Sequence, residues 1–415
     1  SVVNQFKLRG SWGELGNQNT SNLYPFYEIL PVKSNSGNWL VNGGKTNTAD
    51  IPSLVSTLLT WERVRSFNVG FDFGAFSNRL TGSFDYFVRK TVDMVGPAPQ
   101  LPLVLGIAPA IVNNADMKSY GFEIELSWRD RIGEVDYGVK FNLADAQQKV
   151  VKYPNTTNAF NDWYAGKMSG EIWGYTSLGI AKTDEEMKEH LASLPNGGQN
   201  QLGNKWGAGD IMYADINGDG KVDGGKGTLA DPGDQRIIGN STPRYNFGLV
   251  LDASYKGFDV SIFFQGVGKR DYAPIVGTNG AVFWGAVNNI WQSMAMEEHF
   301  DYFRPEGHPM GANLNGYYPR PDFTSNKNHQ VQTRYLQDAS YIRLKNLQIG
   351  YTLPKQWINK LHINRCRVYV SGDNLWTGTS LASMFDPETL AAGDWGSGKT
   401  YPLSKVISFG LNVNF

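Results

Sequence analysis

Apolar and polar residues alternate with a period of two along several stretches of the chain, most cleanly in the last one. In Val406 to Phe415, residues Ile407, Phe409, Leu411, Val413 and Phe415 share one face, and Ser408, Gly410, Asn412 and Asn414 share the other. That is a strand pattern. A greasy face ending on an aromatic, backed by a small polar face, suits a closing strand of a membrane barrel with lipid on one side and a wet lumen on the other. It suits equally a strand whose apolar face meets a protein core.

The same period recurs upstream. Residues 4 to 14 alternate around Phe6, Leu8 and Trp12, and a polar stretch rich in Asn, Gly and Ser follows to about residue 58. Phe67, Val69, Phe71 and Phe73 then oppose Asn68, Gly70, Asp72 and Gly74. Ser77-Asn78 makes a tight turn, and Leu80, Phe84, Tyr86 and Val88 return against Thr81, Ser83, Asp85 and Arg89. A long loop covers 92 to 115. Phe122, Ile124, Leu126 and Trp128 alternate with Glu123, Glu125 and Ser127, and the turn RDRIGE leads back through Tyr137, Val139, Phe141 and Leu143. Residues 144 to 241 read as one large, mostly irregular outer-loop region. It holds a small helix over 184–192, where the Thr183 hydroxyl caps and Glu186 reaches back. Tyr245, Phe247, Leu249 and Leu251 pair with Phe258, Val260, Ile262 and Phe264 across Lys256-Gly257. After a long segment, 267–338, come a strand over 339–353 with Leu347, Ile349 and Tyr351, a compact connection from Pro354 to Leu361, and a strand through Val368 and Val370. A loop over 376–400 precedes the final strand.

About ten strands result, and their connections alternate short, long, short, long. Membrane barrels sort loop length in this way, whereas sandwiches have no reason to. An even strand number puts both ends of the chain on the short-turn, periplasmic side. Trp128, Tyr137, Tyr255 and Tyr351 lie near turn ends, where amphipathic rings sit at a membrane interface. On this reading Phe71 faces lipid, so a cation there is costly, and a change at Gly70 or Asp72 on the lumen face is much cheaper. The long connections exceed the strands in total length, which suits a barrel wider than ten strands.

Composition narrows the alternatives. With 38 basic and 39 acidic residues among 415, the chain lacks the electrostatic footprint of a nucleic-acid binder and offers no polybasic membrane-surface helix. The single cysteine, Cys366, rules out an internal disulfide or a cysteine-rich zinc site, and in its alternating run it reads as buried or lipid-facing. No window approaches eighteen uninterrupted apolar residues, which excludes a helical span and leaves a barrel open. The opening SVVNQFKLRG carries no signal-peptide pattern; the expectation is either an intracellular protein or a downstream piece of a longer chain. The histidines His190, His299, His308, His329 and His362 show no metal-ligand spacing and no nucleophile elbow accompanies them. His299, His308 and His329 share one loop and read as solvated, and an enzyme is not expected.

Several ordered blocks resemble the SusC/RagA family of TonB-linked outer-membrane transporters of Bacteroidetes. They are GSWGELGNQ (10–18), LTWERVRSFNVGFDFGAFSNRLTGSFDYFVRKT (59–91), RIIGNSTPRYNFGLVLDASYKGFDVSIFFQG (236–266), ASYIRLKNLQIGYTLP (339–354) and VYVSGDNL (368–375). The resemblance spans nearly the whole chain. It implies an all-β antiparallel transmembrane barrel of which residues 1–415 are the C-terminal part, the whole having about twenty-two strands. It also implies a SusD/RagB-like surface lipoprotein as lid, dimers of such pairs, TonB acting through an amino-terminal plug that these residues do not contain, and oligosaccharide or oligopeptide cargo. The competing readings are an autotransporter-type barrel, complete at about twelve strands, and a soluble or surface carbohydrate-binding β protein.

Two features of the loops point to sites. YADINGDGKVD places Asp215, Asn217, Asp219 and Asp223 at alternate positions of an EF-hand-like calcium loop, with Gly220 at the sharp turn and the Lys221 carbonyl at the seventh position. Lys226 occupies the place of the twelfth, bidentate acid. By the resemblance, Asp234 is the candidate last ligand, displaced by the insertion GGKGTLADPG. An Asx-rich turn that needs no metal is the alternative. Tryptophans are the second feature: Trp39, Trp61, Trp163, Trp173, Trp206, Trp284, Trp291 and Trp395 all lie in long connections, and Trp376 begins another. Such rings stack on sugars or meet a protein lid. Trp284 and Trp291, near Asn288, Asn289 and Gln292, are the candidates for substrate or lid contact.

Overall fold

A computed structural model describes the chain except for residues 1, 19–26, 53, 57–58, 97–103, 105, 108, 275–281, 286–294, 323–324, 360–361 and 391–399. Ten long strands form one antiparallel sheet: β1 (Val3–Asn17), β2 (Glu62–Ala75), β3 (Leu80–Val95), β4 (Asn113–Ile132), β5 (Val135–Lys152), β6 (Arg244–Tyr255), β7 (Phe258–Lys269), β8 (Tyr341–Thr352), β9 (Arg365–Thr379) and β10 (Val406–Asn414). Each pairs with its neighbours in the chain, so spatial order equals sequence order. β1 and β10 each have one unpaired edge within this sheet.

The short connections come from residues that tolerate left-handed backbone. Lys256 and Gly257 have φ of 45° and 91°, the two-residue primed turn whose twist matches its flanking strands. Phe76, Ser77 and Asn78 are all left-handed between β2 and β3. All short turns lie at one end of the sheet and all long connections at the other. The strands are 9 to 20 residues long, whereas a bilayer needs about 9–11, so β4 and β5 project beyond it at the loop end.

Register confirms the two faces. Phe71 pairs with Leu8 and Phe84, and Phe84 with Ile124. The rings of Phe6, Phe71, Phe84 and Phe122 run across four strands at centroid spacings of 5.8, 5.6 and 6.5 Å. This face is open: Leu8 is 72% exposed and Phe409 85%. The buried core lies elsewhere. It gathers Tyr175, Ile211, Tyr213, Phe283, Trp284, Tyr318, Tyr335 and Phe385, all from the long connections, which therefore fold into one packed assembly above the sheet.

The span 144–241 is more ordered than its sequence suggests. β5 continues to Lys152, Glu171–Gly174 pairs with Arg236–Asn240, and Ser177–Ile180 pairs with Ile211–Tyr213. Strands of three to five residues are too short to display a period, and their partners are distant in sequence. The helix α1 (Asp184–Ala192) forms as expected. Thr183 Oγ1 accepts from Glu186 N at 3.1 Å, and Glu186 Oε2 accepts from Lys182 N at 2.6 Å. Cys366 is buried on the outward side of β9.

Candidate functional site

The inward face of the sheet is polar, and two guanidinium clusters tie its strands together. Arg9 of β1 donates to Asp72 of β2 at 2.8 Å and to Asp85 of β3 at 2.7 Å, so one guanidinium ties three strands. Arg367 of β9 donates to Asp259 of β7 at 2.9 Å and to Gln348 of β8 at 2.9 Å. Between these clusters Gln5, Ser83, Glu125, Lys140 and Asn142 help to line a trough of about 670 Å³, together with the apolar residues Phe73, Leu126, Phe141, Val250 and Phe263. Glycine on this face leaves room for its neighbours' side chains: a Cβ at Gly138 would come within 2.7 Å of the Asp252 carboxylate. Such a surface offers many donors and acceptors to a hydrated solute.

At the loop end an ion cluster fastens the segment after β9 to the inner side of the mouth. Arg343, 4% exposed, donates to Asp386 at 2.8 Å and lies 3.1 Å from Glu388, which Lys345 also reaches at 2.9 Å. Burial works to raise the Asp386 carboxyl, but the N–H groups of Glu388 and Leu403 and the Arg343 guanidinium outweigh it and hold it below the usual carboxylate range.

The centre of the loop assembly is a buried acid that sequence reading passed over. Asp210 is fully buried. It accepts from Lys327 Nζ at 2.9 Å, Arg320 Nη2 at 2.6 Å, Asn328 Nδ2 at 2.9 Å and Gly207 N at 2.9 Å. Its cationic partners lie 110 and 117 residues away, and no local pattern announces them.

Trp284 does not present a ring to a ligand. It is fully buried, 4.8 Å from the Tyr335 ring and 4.5 Å from that of His329, and its Nε1 donates to Pro274 O at 3.3 Å. The expectation of a contact residue is corrected here: a large apolar ring in a long loop went to the loop's own core, where it removes most area from water. Trp291, Asn288 and Asn289 lie outside the described residues, as does Trp395. Trp39 and Trp61 are 66% and 58% exposed, and Trp376 lies within β9 rather than in a loop. Two histidines expected to be solvated are buried. His299 Nε2 lies 3.0 Å from Phe283 O, and its Nδ1 accepts from Met296 N at 3.0 Å. His329 is buried with neither ring nitrogen bonded, and burial pushes its pKa down to about 4.

The acidic motif forms a tight loop held by its own side chains. Asp215 accepts from Gly218 N at 2.6 Å and Gly220 N at 2.8 Å, with Gly220 left-handed at φ 81°. Asn217 and Asp219 accept from the N–H groups two residues on, at 3.0 and 3.2 Å. Lys221 Nζ is bonded to Asp223 and lies 3.9 Å from Asp219. Asp234, fully buried, accepts from the backbone of Ile216 at 2.7 Å, Asn217 at 3.3 Å and Asp223 at 2.8 Å. The insertion thus returns Asp234 to the motif, where its oxygens staple three backbone N–H groups. Among the described residues no three His, Cys, Asp or Glu side chains converge as a metal set.

Comparison with known proteins agrees with this architecture. Residues 1–375 match the family model described as TonB dependent receptor-like, beta-barrel. The TonB-dependent receptor P3 of Formosa agariphila is 28% identical over 445 aligned residues, covering all of this chain and 40% of that protein. The TonB-dependent receptor SusC of Bacteroides thetaiotaomicron is 21% identical over 431 residues, covering all of this chain and 38% of SusC. Among solved structures, the RagAB peptide transporter aligns with a TM-score of 0.71 at 23% identity, over all of this chain and 41% of that one, a likeness of fold. The chain therefore spans about two fifths of the length of the curated relatives it matches.

Proposed function

The chain belongs to the TonB-dependent receptor-like β-barrel family, and from that premise we propose that its sheet is part of the wall of an outer-membrane importer and its loop assembly part of the outer mouth. One observation carries the reading: the sheet is inverted, with apolar rings exposed on one face, polar and charged residues on the other, and the buried aromatic cluster at the loop end. A soluble carbohydrate-binding protein of this size would need that apolar face covered. In lipid, the free edges of β1 and β10 need backbone partners, and further strands of a longer barrel supply them on this reading. The relatives are named as receptors and transporters, not enzymes.

The substrate class that suits this trough, with its many polar side chains, is a polar oligomer, oligosaccharide or oligopeptide. A SusD/RagB-type lipoprotein lid over the mouth, TonB acting through segments outside these residues, and dimers of barrel–lid pairs complete the proposal. For the loop over 215–234 we propose a structural calcium ion held by Asp215, Asn217, Asp219, Asp223 and the Lys221 carbonyl, which would displace the Lys221 ammonium from between Asp219 and Asp223. Support comes from the ligand spacing and the left-handed Gly220.

The test is extraction of the full-length protein in mild detergent, with mass spectrometry of every chain retained. A lipidated partner and a parent longer than 46.1 kDa are expected. A chain that stays in solution without detergent and holds no partner would overturn the importer.

A further inference from the structure

One row of the outward face departs from the apolar band beneath it. Glu14, Arg65, Lys90, Lys118 and Lys149 are successive cross-strand partners on β1 to β5. They share the face of Trp12, Phe67, Val88 and Tyr120, which form the next row toward the turns. Two contacts fix that facing: Arg65 Nε donates to Glu14 at 2.7 Å, and Lys118 Nζ lies 5.1 Å over the Tyr120 ring.

Four cations and one acid leave the row at +3. Like charges directly opposite each other in a sheet are destabilising, so the row needs an anion. The acids nearby are engaged: Glu14 also has Arg63 at 4.0 Å, Asp93 is held by Arg63, Asp116 accepts from Asp93 N at 3.0 Å, and Asp145 is bound by Arg244. Lys90 and Lys149 are exposed and Lys118 is half-buried.

Height decides which anion. From Trp128 to Tyr120 along β4 is eight residue steps, roughly 27 Å of strand and about 20 Å of membrane depth at a tilt of about 35–45°. The cation row lies one pleat above that, at headgroup level over an apolar band of about 25 Å. Near the loop end of β8 and β9 the outward pair is instead Leu344 opposite Trp376, so the basic row does not continue onto those strands.

We propose that Lys90, Lys118 and Lys149, with Arg65 beside them, bind the phosphate groups of an anionic outer-leaflet lipid whose acyl chains lie along the Phe67–Val88–Tyr120 rows. An amphiphile meets both needs of the site: its phosphates neutralise the row, and its chains cover the rings directly below. The inference rests on the membrane-barrel reading.

The full-length protein is reconstituted in phosphatidylcholine nanodiscs with or without diphosphoryl lipid A, and lipid retained after detergent release is counted by native mass spectrometry. Wild type should retain lipid A. K90Q/K118Q/K149Q, which relieves repulsion and so should fold, should retain it at least about tenfold less, whereas K45Q/K182Q/K188Q in exposed loops should match wild type. Equal retention by the first variant and wild type overturns the proposal. So does thermal stabilisation by inorganic phosphate alone equal to that by lipid A, which would assign the row to a soluble anion. Failure to enter nanodiscs at all, with solubility in buffer, overturns the barrel reading itself and is seen before any lipid A is added.

Discussion

Trp128 Nε1 donates to the Tyr137 hydroxyl at 3.1 Å, across the turn between β4 and β5. Phe76 packs on the same indole at 6.0 Å, and the Arg79 guanidinium lies 5.9 Å over it. The ring faces the apolar band while its N–H and the cation reach the wet side, which is how an interfacial belt is built. Tyr137→Phe removes the acceptor and keeps the ring. It should cost about 0.5–1.5 kcal/mol, measured by denaturant unfolding in lipid vesicles, and Trp128→Ala should cost more because the cation–π and ring contacts go with it.

Phe71 sits mid-strand between Phe6 and Phe84 on the outward face. Phe71→Arg should cost about 2–4 kcal/mol in a bilayer. The inward control is Asn68→Arg on the same strand, which should cost much less; equal costs in vesicle unfolding would sink the lipid assignment. Gly70, an equally inward position by sequence, is not a mild site, because a Cβ there would meet the Asp85 carboxylate and the Phe84 carbonyl.

His329 makes the loop assembly acid-sensitive. Its folded pKa of about 4 lies below the ordinary 6.5, so the unfolded chain takes up a proton that the folded one refuses. Its contribution is fully present above pH 6.5 and is lost progressively as pH falls toward 4, on the order of 3 kcal/mol. Trp284, 4.5 Å away, reports on this by fluorescence; His329→Phe should flatten the profile between those limits, and an unchanged profile would assign the sensitivity elsewhere.

Arg343→Met leaves the Asp386 and Glu388 carboxylates without their shared guanidinium in a buried setting. Removing one partner of such a cluster should cost about 3–5 kcal/mol. Hydrogen exchange should show the segment 380–390 opening while β8 and β9 stay protected.

Calcium should raise the melting temperature of the loop assembly, EDTA should reverse the gain, and D215N/D219N should abolish it. Asp234→Ala should destabilise the loop with or without the ion, since three backbone N–H groups lose their acceptor at about 1–3 kcal/mol each. No response of the wild type to calcium would return the motif to a self-sufficient Asx-rich turn.

The strands were legible because their signal is local. Phe67, Val69, Phe71 and Phe73 announce a face within seven residues, and Lys256-Gly257 announces its turn in two. The loop assembly was not, because what organises it is distant. Asp210 meets Lys327 across 117 residues, and Trp284 reads the same as a binding ring or a core ring until Tyr318, Tyr335 and His329 close around it.

By itself, then, the sequence determined the period, the faces, the turn positions and the alternation of loop lengths, all set by backbone geometry between near neighbours. Only the tertiary structure decided that the loops share one core, that Asp234 folds back to staple the acidic motif, and that Arg65, Lys90, Lys118 and Lys149 fall into a single row. Strand register places residues side by side that are far apart along the chain, and no local pattern carries that information.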